Sequence, residues 1–420
     1  MAAVATDHNL TGISDRSNKL DTVLAISLVL VGMCFPTSIQ GDISKPLLGA
    51  FYCVALLLLA LIIKRQGTAG FLACLSSFLM IPVLLLFTLT SGLTTYKPGA
   101  LVGYAALSIL YVVNLKALSL RKSFLGFFAV MNVLTICVAT AILVGYDGVT
   151  KFIVANYSSF YPELVQYMMD VRKPVLTFGA HSIAGLLLYF FFFAALQTWR
   201  LKKSRLFLVF AHSYVLILYS LLSVTGLVFG TVALFQLFYW LWHEDRKVLK
   251  VTLSLTFVIA ISIALFLSSV IPWDDGIDAV KLVLTSTDGG LSGRFLPEGT
   301  LYGDLQYLRN NSFSPVGISF AEQLQFGDSG IVEHLLRGSL PLVLMVYGGL
   351  FFFLRRNLVA RADVYLIFFS IMAFEAGYST LTTGYRTLCL IPFFIIYLNY
   401  LRRLQSVELA GRMASSSGTA

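Results

Sequence analysis

Residues 175–198 read VLTFGAHSIAGLLLYFFFFAALQT. No aspartate, glutamate, lysine or arginine interrupts them, and the run is long enough to cross a hydrocarbon core of ~30 Å. Arg172 and Lys173 stand just before it, and Arg200, Lys202 and Lys203 just after. An apolar run with charged ends reads as a membrane-crossing helix. The chain repeats this pattern near 22–39, 47–63, 70–91, 99–115, 123–145, 205–220, 224–242, 249–271, 339–354, 363–380 and 386–401. About twelve spans of the required length result. Only Leu221-Leu222-Ser223 separates 205–220 from 224–242, so a re-entrant turn inside the bundle is an alternative there. The expected fold is all-α, a polytopic transmembrane helical bundle.

Composition agrees. The chain is 58% hydrophobic and 12% charged, where a soluble domain carries about 25% charged residues. Its mean hydropathy is +0.83. The net charge of +9 sits in short basic clusters between apolar runs. That is the layout of topology signals, so no nucleic-acid partner is expected. One set of loops carries Lys64 and Arg65; Lys116, Arg121 and Lys122; Arg200, Lys202, Lys203 and Arg205; Arg246, Lys247 and Lys250; and Arg355, Arg356 and Arg361. The opposite short loops carry only Lys45, Lys97 and Arg386. The basic set is expected to face the cytoplasm. An even span count then places both termini inside and the long loops 146–174 and 272–338 outside. The division expected is a tail over 1–21, a membrane domain over 22–402 and a second tail over 403–420. The five cysteines, Cys34, Cys53, Cys74, Cys137 and Cys389, lie within apolar runs without a CxxC pair and read as small hydrophobes.

The chain has no P-loop, GxGxxG, HExxH or DxD pattern, and its five histidines are scattered. No metal or other cofactor is expected. The ionisable residues gather between Trp273 and Gly338, where nine side chains are Asp or Glu and four are Lys or Arg. Arg294 lies in that acidic stretch, Arg172 at the mouth of the sixth span and Arg386 at the start of the last. A guanidinium can grip a phosphate with two parallel hydrogen bonds. It can equally sit at the interface with its stem in the apolar layer. Asp328-Ser329-Gly330 reads either as a helix N-cap or as a carboxylate offered at the membrane surface. Glu375 falls inside an apolar span near its outer end, a costly position that usually faces a cavity or a partner. His181 opens the sixth span and reads as a packing residue or a site residue. Tyr302 and Tyr307 offer ring faces on which a sugar could stack.

Two local patterns resemble the bacterial O-antigen and exopolysaccharide polymerases of the Wzy type, which are related to the O-antigen ligases. The first is Arg172 followed by Leu176-Thr177-Phe178-Gly179-Ala180-His181-Ser182-Ile183-Ala184-Gly185. It is similar to that family's arginine ahead of a span start. The second is Ser292-Gly293-Arg294, then Asp328-Ser329-Gly330 with Leu335, Leu336 and Gly338. It resembles the family's outer-loop arginine and the box that follows. The chain departs from the family at Ser223-Val224-Thr225-Gly226, where many members carry Ser-Arg-Thr-Gly. It also has Asp328 where ligases usually have a histidine, which favours a polymerase.

The resemblance implies a metal-independent, GT-C-like glycosyltransferase of the bacterial inner membrane, with its site facing the periplasm and a large periplasmic loop between spans 9 and 10. Donor and acceptor would be oligosaccharides linked to undecaprenyl pyrophosphate, within a lipid bilayer. A chain-length regulator is an open further partner. Arg172 and Arg294, with Arg386, would hold the pyrophosphate; Arg294 would also act in catalysis. Asp328 or His334 would orient or deprotonate the acceptor hydroxyl. Glu375, His181, Tyr302 and Tyr307 would line the substrate site. The alternatives are an O-antigen ligase acting on lipid A–core, and a transporter of lipid-linked sugars.

Overall fold

The computed structural model describes residues 15–39, 42–43, 45–68, 70–90, 99–158, 162–249, 300–310, 329–379, 381–382 and 384–417. Its helices are α1 (Asp15–Cys34), α2 (Lys45–Gln66), α3 (Phe71–Thr90), α4 (Gly99–Val112), α5 (Phe124–Leu143), α6 (Asp147–Tyr157), α7 (Pro162–Asp170), α8 (His181–Lys202), α9 (Arg205–Ser220) and α10 (Val224–Glu244). After these come α11 (Thr300–Asn310), α12 (Gly330–Val343), a π-helical turn (Leu344–Gly348), α13 (Gly349–Asn357), α14 (Arg361–Glu375) and α15 (Thr387–Ser417). A two-residue antiparallel pair, β1 (Ser38–Ile39) and β2 (Asp42–Ile43), follows α1. The all-α expectation is met. The ninth expected span, 249–271, lies outside the described residues apart from Leu249.

Among the described residues six helical stretches are long and apolar enough to cross a membrane: Lys45–Gln66, Phe124–Leu143, His181–Lys202, Val224–Glu244, Gly330–Asn357 and Thr387–Val407. Phe71–Leu84, Val102–Val112 and Arg205–Ser220 are shorter apolar helices. The apolar faces show where lipid belongs. Leu57 and Leu61 on α2, Val130, Val133 and Leu134 on α5, and Val228, Phe235 and Trp242 on α10 all stand exposed. Apolar surface on that scale is unlike a soluble monomer's and fits a bilayer. By contrast, the whole apolar window of α8 is buried. α8 packs against α9, α10, α14 and α15, so the aromatic run of the quoted stretch faces neighbouring helices. Phe191 meets Phe394 edge-on with ring centroids 5.1 Å apart, and Tyr189 stacks on Phe229 at 5.0 Å.

Polar side chains tie the helix ends together. At one end Asp21 accepts from Arg65 Nε at 2.5 Å and from the Ser119 amide at 3.0 Å. Asn357 accepts from the Leu115 amide at 2.6 Å and donates to the Val113 carbonyl at 3.1 Å. Arg402 grips Asp363 through Nε and NH2, at 2.9 and 2.6 Å. Arg403 donates to the carbonyls of Leu118 and Lys116. The basic loops of the sequence therefore gather at this end. The ends of α1 and α14, the start of α15 and the surface helices α6 and α7 lie at the other.

Two segments differ from the sequence expectation. The stretch 146–174 carries α6 and α7 rather than irregular loop. The outer loop was expected to reach residue 338, yet residues 330–338 are helical and Glu333, His334 and Arg337 within them are buried. Glu333 and Arg337 stand one turn apart, so the carboxylate accepts from Arg337 Nε at 2.8 Å. Pairing of this kind lets two charges enter a helical interior together.

A buried polar cluster as the candidate functional site

Four elements converge on a fully buried histidine. Ser329 caps α12 by accepting from the Val332 amide at 3.4 Å, which sets the helix register and carries His334 inward. The imidazole Nδ1 lies 2.8 Å from the Tyr104 hydroxyl of α4. Its Nε2 lies 3.8 Å from Glu375 Oε2 of α14 and makes no hydrogen bond. His334 and Glu375 are each 0% exposed. Glu375 accepts from the Tyr347 hydroxyl at 3.0 Å and from the Leu381 amide at 2.9 Å. Tyr347 belongs to the π-helical turn, a wider turn that recurs at functional sites. The Glu333–Arg337 pair lies alongside, with Glu333 Oε2 buried and also without a hydrogen bond.

Close backbone approach builds this cluster. A Cβ on Gly330 would collide with the Glu375 carboxylate and stand 3.2 Å from Ser379 Cα. A Cβ on Gly103 would collide with the Thr382 carbonyl. The segment after α14 is therefore seated between α4 and α12 at two glycines. Below the cluster α12 leaves helical geometry at Gly338 and at Ser339, whose φ is 55° and ψ −162°. That backbone region is ordinarily glycine's.

The residues singled out from sequence distribute as follows. His334 and Glu375 share the cluster. Arg386 is 2% exposed and donates to the carbonyls of Gly32 at 2.8 Å and Phe35 at 3.1 Å. Its guanidinium also lies 5.4 Å from the ring centroids of both Tyr157 and Tyr385. In this structure it closes the carboxyl end of α1, where a cation meets the negative end of the helix dipole. Burial raises the Tyr157 phenol, opposed by Arg386. Arg172 is exposed, has a φ of 57° and lays its side chain over Gly145. Beside it, Lys173 reaches the Leu222 carbonyl at 3.4 Å, and burial lowers its pKa. His181 begins α8 and is half-buried. Tyr302 and Tyr307 lie half-buried on α11, where the Tyr302 hydroxyl accepts from Gln306 at 2.7 Å. Arg294 and Asp328 lie outside the described residues.

Sequence reasoning missed Tyr104, Tyr347, Glu333 and Arg337. Glu333 and Arg337 carried a signal, since opposite charges four residues apart on a helix are neighbours. The tyrosines carried none, being two aromatic residues among many in apolar runs.

Chemically, the cluster pairs a nitrogen base with a carboxylate and two hydroxyls in a dry interior. Among the described residues no three His, Cys, Asp or Glu side chains converge as a metal set. Comparison with family models, with curated proteins and with solved structures finds no match.

Proposed function

We propose that the chain is a membrane-embedded, GT-C-like glycosyltransferase. In this reading it is a polysaccharide polymerase moving a growing glycan from undecaprenyl pyrophosphate to the non-reducing end of a lipid-linked repeat unit. The observation that carries the reading is the buried His334, from the family-like box, with Tyr104 on one nitrogen and Glu375 facing the other. A base oriented by a second group is the arrangement that activates a hydroxyl. An oxygen about 2.8 Å from both His334 Nε2 and Glu375 Oε2 fits beside a gap of 3.8 Å. The acceptor hydroxyl takes that position. Its oxygen forms the new bond to the anomeric carbon of the donor, and the bond from that carbon to the pyrophosphate oxygen breaks. The electron pair leaves with the pyrophosphate, and the hydroxyl proton passes to the cluster. The lipid-linked donor is already activated, so no nucleotide is required. Arg172, exposed beside Gly145, and Arg294 would stabilise the leaving charge. Arg386 serves by holding α1.

About twelve crossings complete the reading, with the span at 249–271 added to the described helices. The basic end of the bundle then faces the cytoplasm and the opposite end the periplasm of a bacterial inner membrane. One observation favours a second reading, a carrier for lipid-linked sugars: buried ionisable groups within a membrane bundle are also how carriers bind and couple.

The test supplies purified protein with a synthetic undecaprenyl-pyrophosphate repeat unit, without nucleotide or metal, and sizes the products. Wild type is expected to give a ladder that His334→Ala and Arg294→Ala reduce to single units. Transfer only when lipid A–core is added makes the protein a ligase. Folded protein that transfers to neither acceptor, and instead moves the lipid-linked unit across vesicles, makes it a carrier.

A further inference from the structure

We propose that His334 and Glu375 together bind one exchangeable proton, making this cluster a proton-binding site within the bundle. Geometry and charge both lead there. The cluster buries two carboxylates, Glu333 and Glu375, against one guanidinium, Arg337. With a neutral imidazole one negative charge stays uncompensated, and a bundle interior penalises that heavily. One added proton cancels it. Nothing else facing the pair supplies a positive charge among the described residues. α4 contributes Tyr104, α12 contributes Glu333 and Arg337, and the π turn contributes Tyr347. The segment after α14 contributes Ser379, and α3, packed on α12, has no charged side chain.

The atoms are already arranged for it. His334 Nε2 is buried without a hydrogen bond, and Glu375 Oε2 lies 3.8 Å away. A proton between them turns a gap slightly too long for a hydrogen bond into a charge-assisted one after a small rotamer shift. Tyr104 and Tyr347 extend the chain on either side, at 2.8 and 3.0 Å. They are the groups through which the proton enters and leaves. The inference rests on the polymerase reading only for the proton's source. There it is the acceptor's hydroxyl proton, and the pair releases it before the next unit is joined.

The test needs no substrate, so its outcome is separate from that of the ladder. Wild-type protein in lipid nanodiscs is followed between about pH 5 and pH 8, the range in which histidine ordinarily titrates. Infrared spectra report the carboxyl group, and ¹⁵N spectra of histidine-labelled protein report the imidazole. Glu375→Asp, which shifts a carboxyl band without removing the acid, and His334→Gln assign the signals. The expected result at neutral pH is a protonated carboxyl band that moves in Glu375→Asp, or an imidazolium signal that disappears in His334→Gln. An ionised Glu375 together with a neutral His334 across the whole range in wild type overturns the proposal.

Discussion

Gly330 and Gly303 carry the same side chain and should respond to alanine in opposite ways. A Cβ at Gly330 meets the Glu375 carboxylate, whereas at Gly303 it meets nothing within 4 Å. Gly330→Ala is expected to displace Glu375 and cut polymer yield at least about tenfold, the rate cost of ~1.4 kcal/mol in the barrier. Gly303→Ala should leave yield unchanged. Equal yields from both variants in the ladder assay would remove Glu375 from the site. Arg386 poses a stability question. Its two carbonyl bonds, at 2.8 and 3.1 Å, need a forked donor, and lysine offers a single point charge. Arg386→Lys is expected to lose about 1.5–3 kcal/mol, measured by denaturation in mixed micelles. An unchanged midpoint would show that α1 is held by something else. Both residues illustrate what sequence reveals at this scale. An arginine, a glutamate or a histidine inside apolar sequence is conspicuous because burying it is costly. Its partner is not, because Glu375 and His334, or Arg386 and the end of α1, meet only through the fold.

At the scale of the element, α12 is the least regular helix and the one that sequence reasoning placed least well. Its first half carries Glu333 and Arg337, so it looked like solvated loop. The two charges cancel one turn apart, and the helix goes inside. The break at Gly338 and Ser339 separates that half from the span that follows. Neither the break nor the π turn was legible, because both answer to tertiary demands of the cluster rather than to local preference. Ser339 holds a φ of 55° with a ψ of −162°, a conformation that costs a non-glycine residue about 1–3 kcal/mol. Ser339→Gly is therefore expected to raise the unfolding temperature. A lower temperature would mean that the serine's own contacts outweigh the strain. The remaining helices were legible because apolar length is a blunt signal. Eleven of the expected runs coincide with described helices, allowing for residues gained or lost at their ends.

For the whole molecule, the gathering of basic residues at one end makes sidedness testable. Tyr146 and Val171 are exposed at one end of the bundle, Lys122 and Arg205 at the other. Single cysteines at Tyr146 and Val171, in a background without other cysteines, should react with an impermeant maleimide added to intact spheroplasts. Those at Lys122 and Arg205 should react only after lysis. The reverse pattern would invert the bundle, and mixed labelling within a pair would break the assignment of ends. One further consequence comes from α8, whose apolar window is entirely covered by protein. Two of its covers, α14 and α15, are made near the end of synthesis. Until they arrive, the Phe190–Phe193 face of α8 has only lipid to lie against. A ribosome stalled before α14 therefore leaves an intermediate whose central helix is solvated by acyl chains. The helix that begins as one of the most lipid-like in the chain ends with no lipid contact, so the molecule matures by wringing lipid out of its own middle.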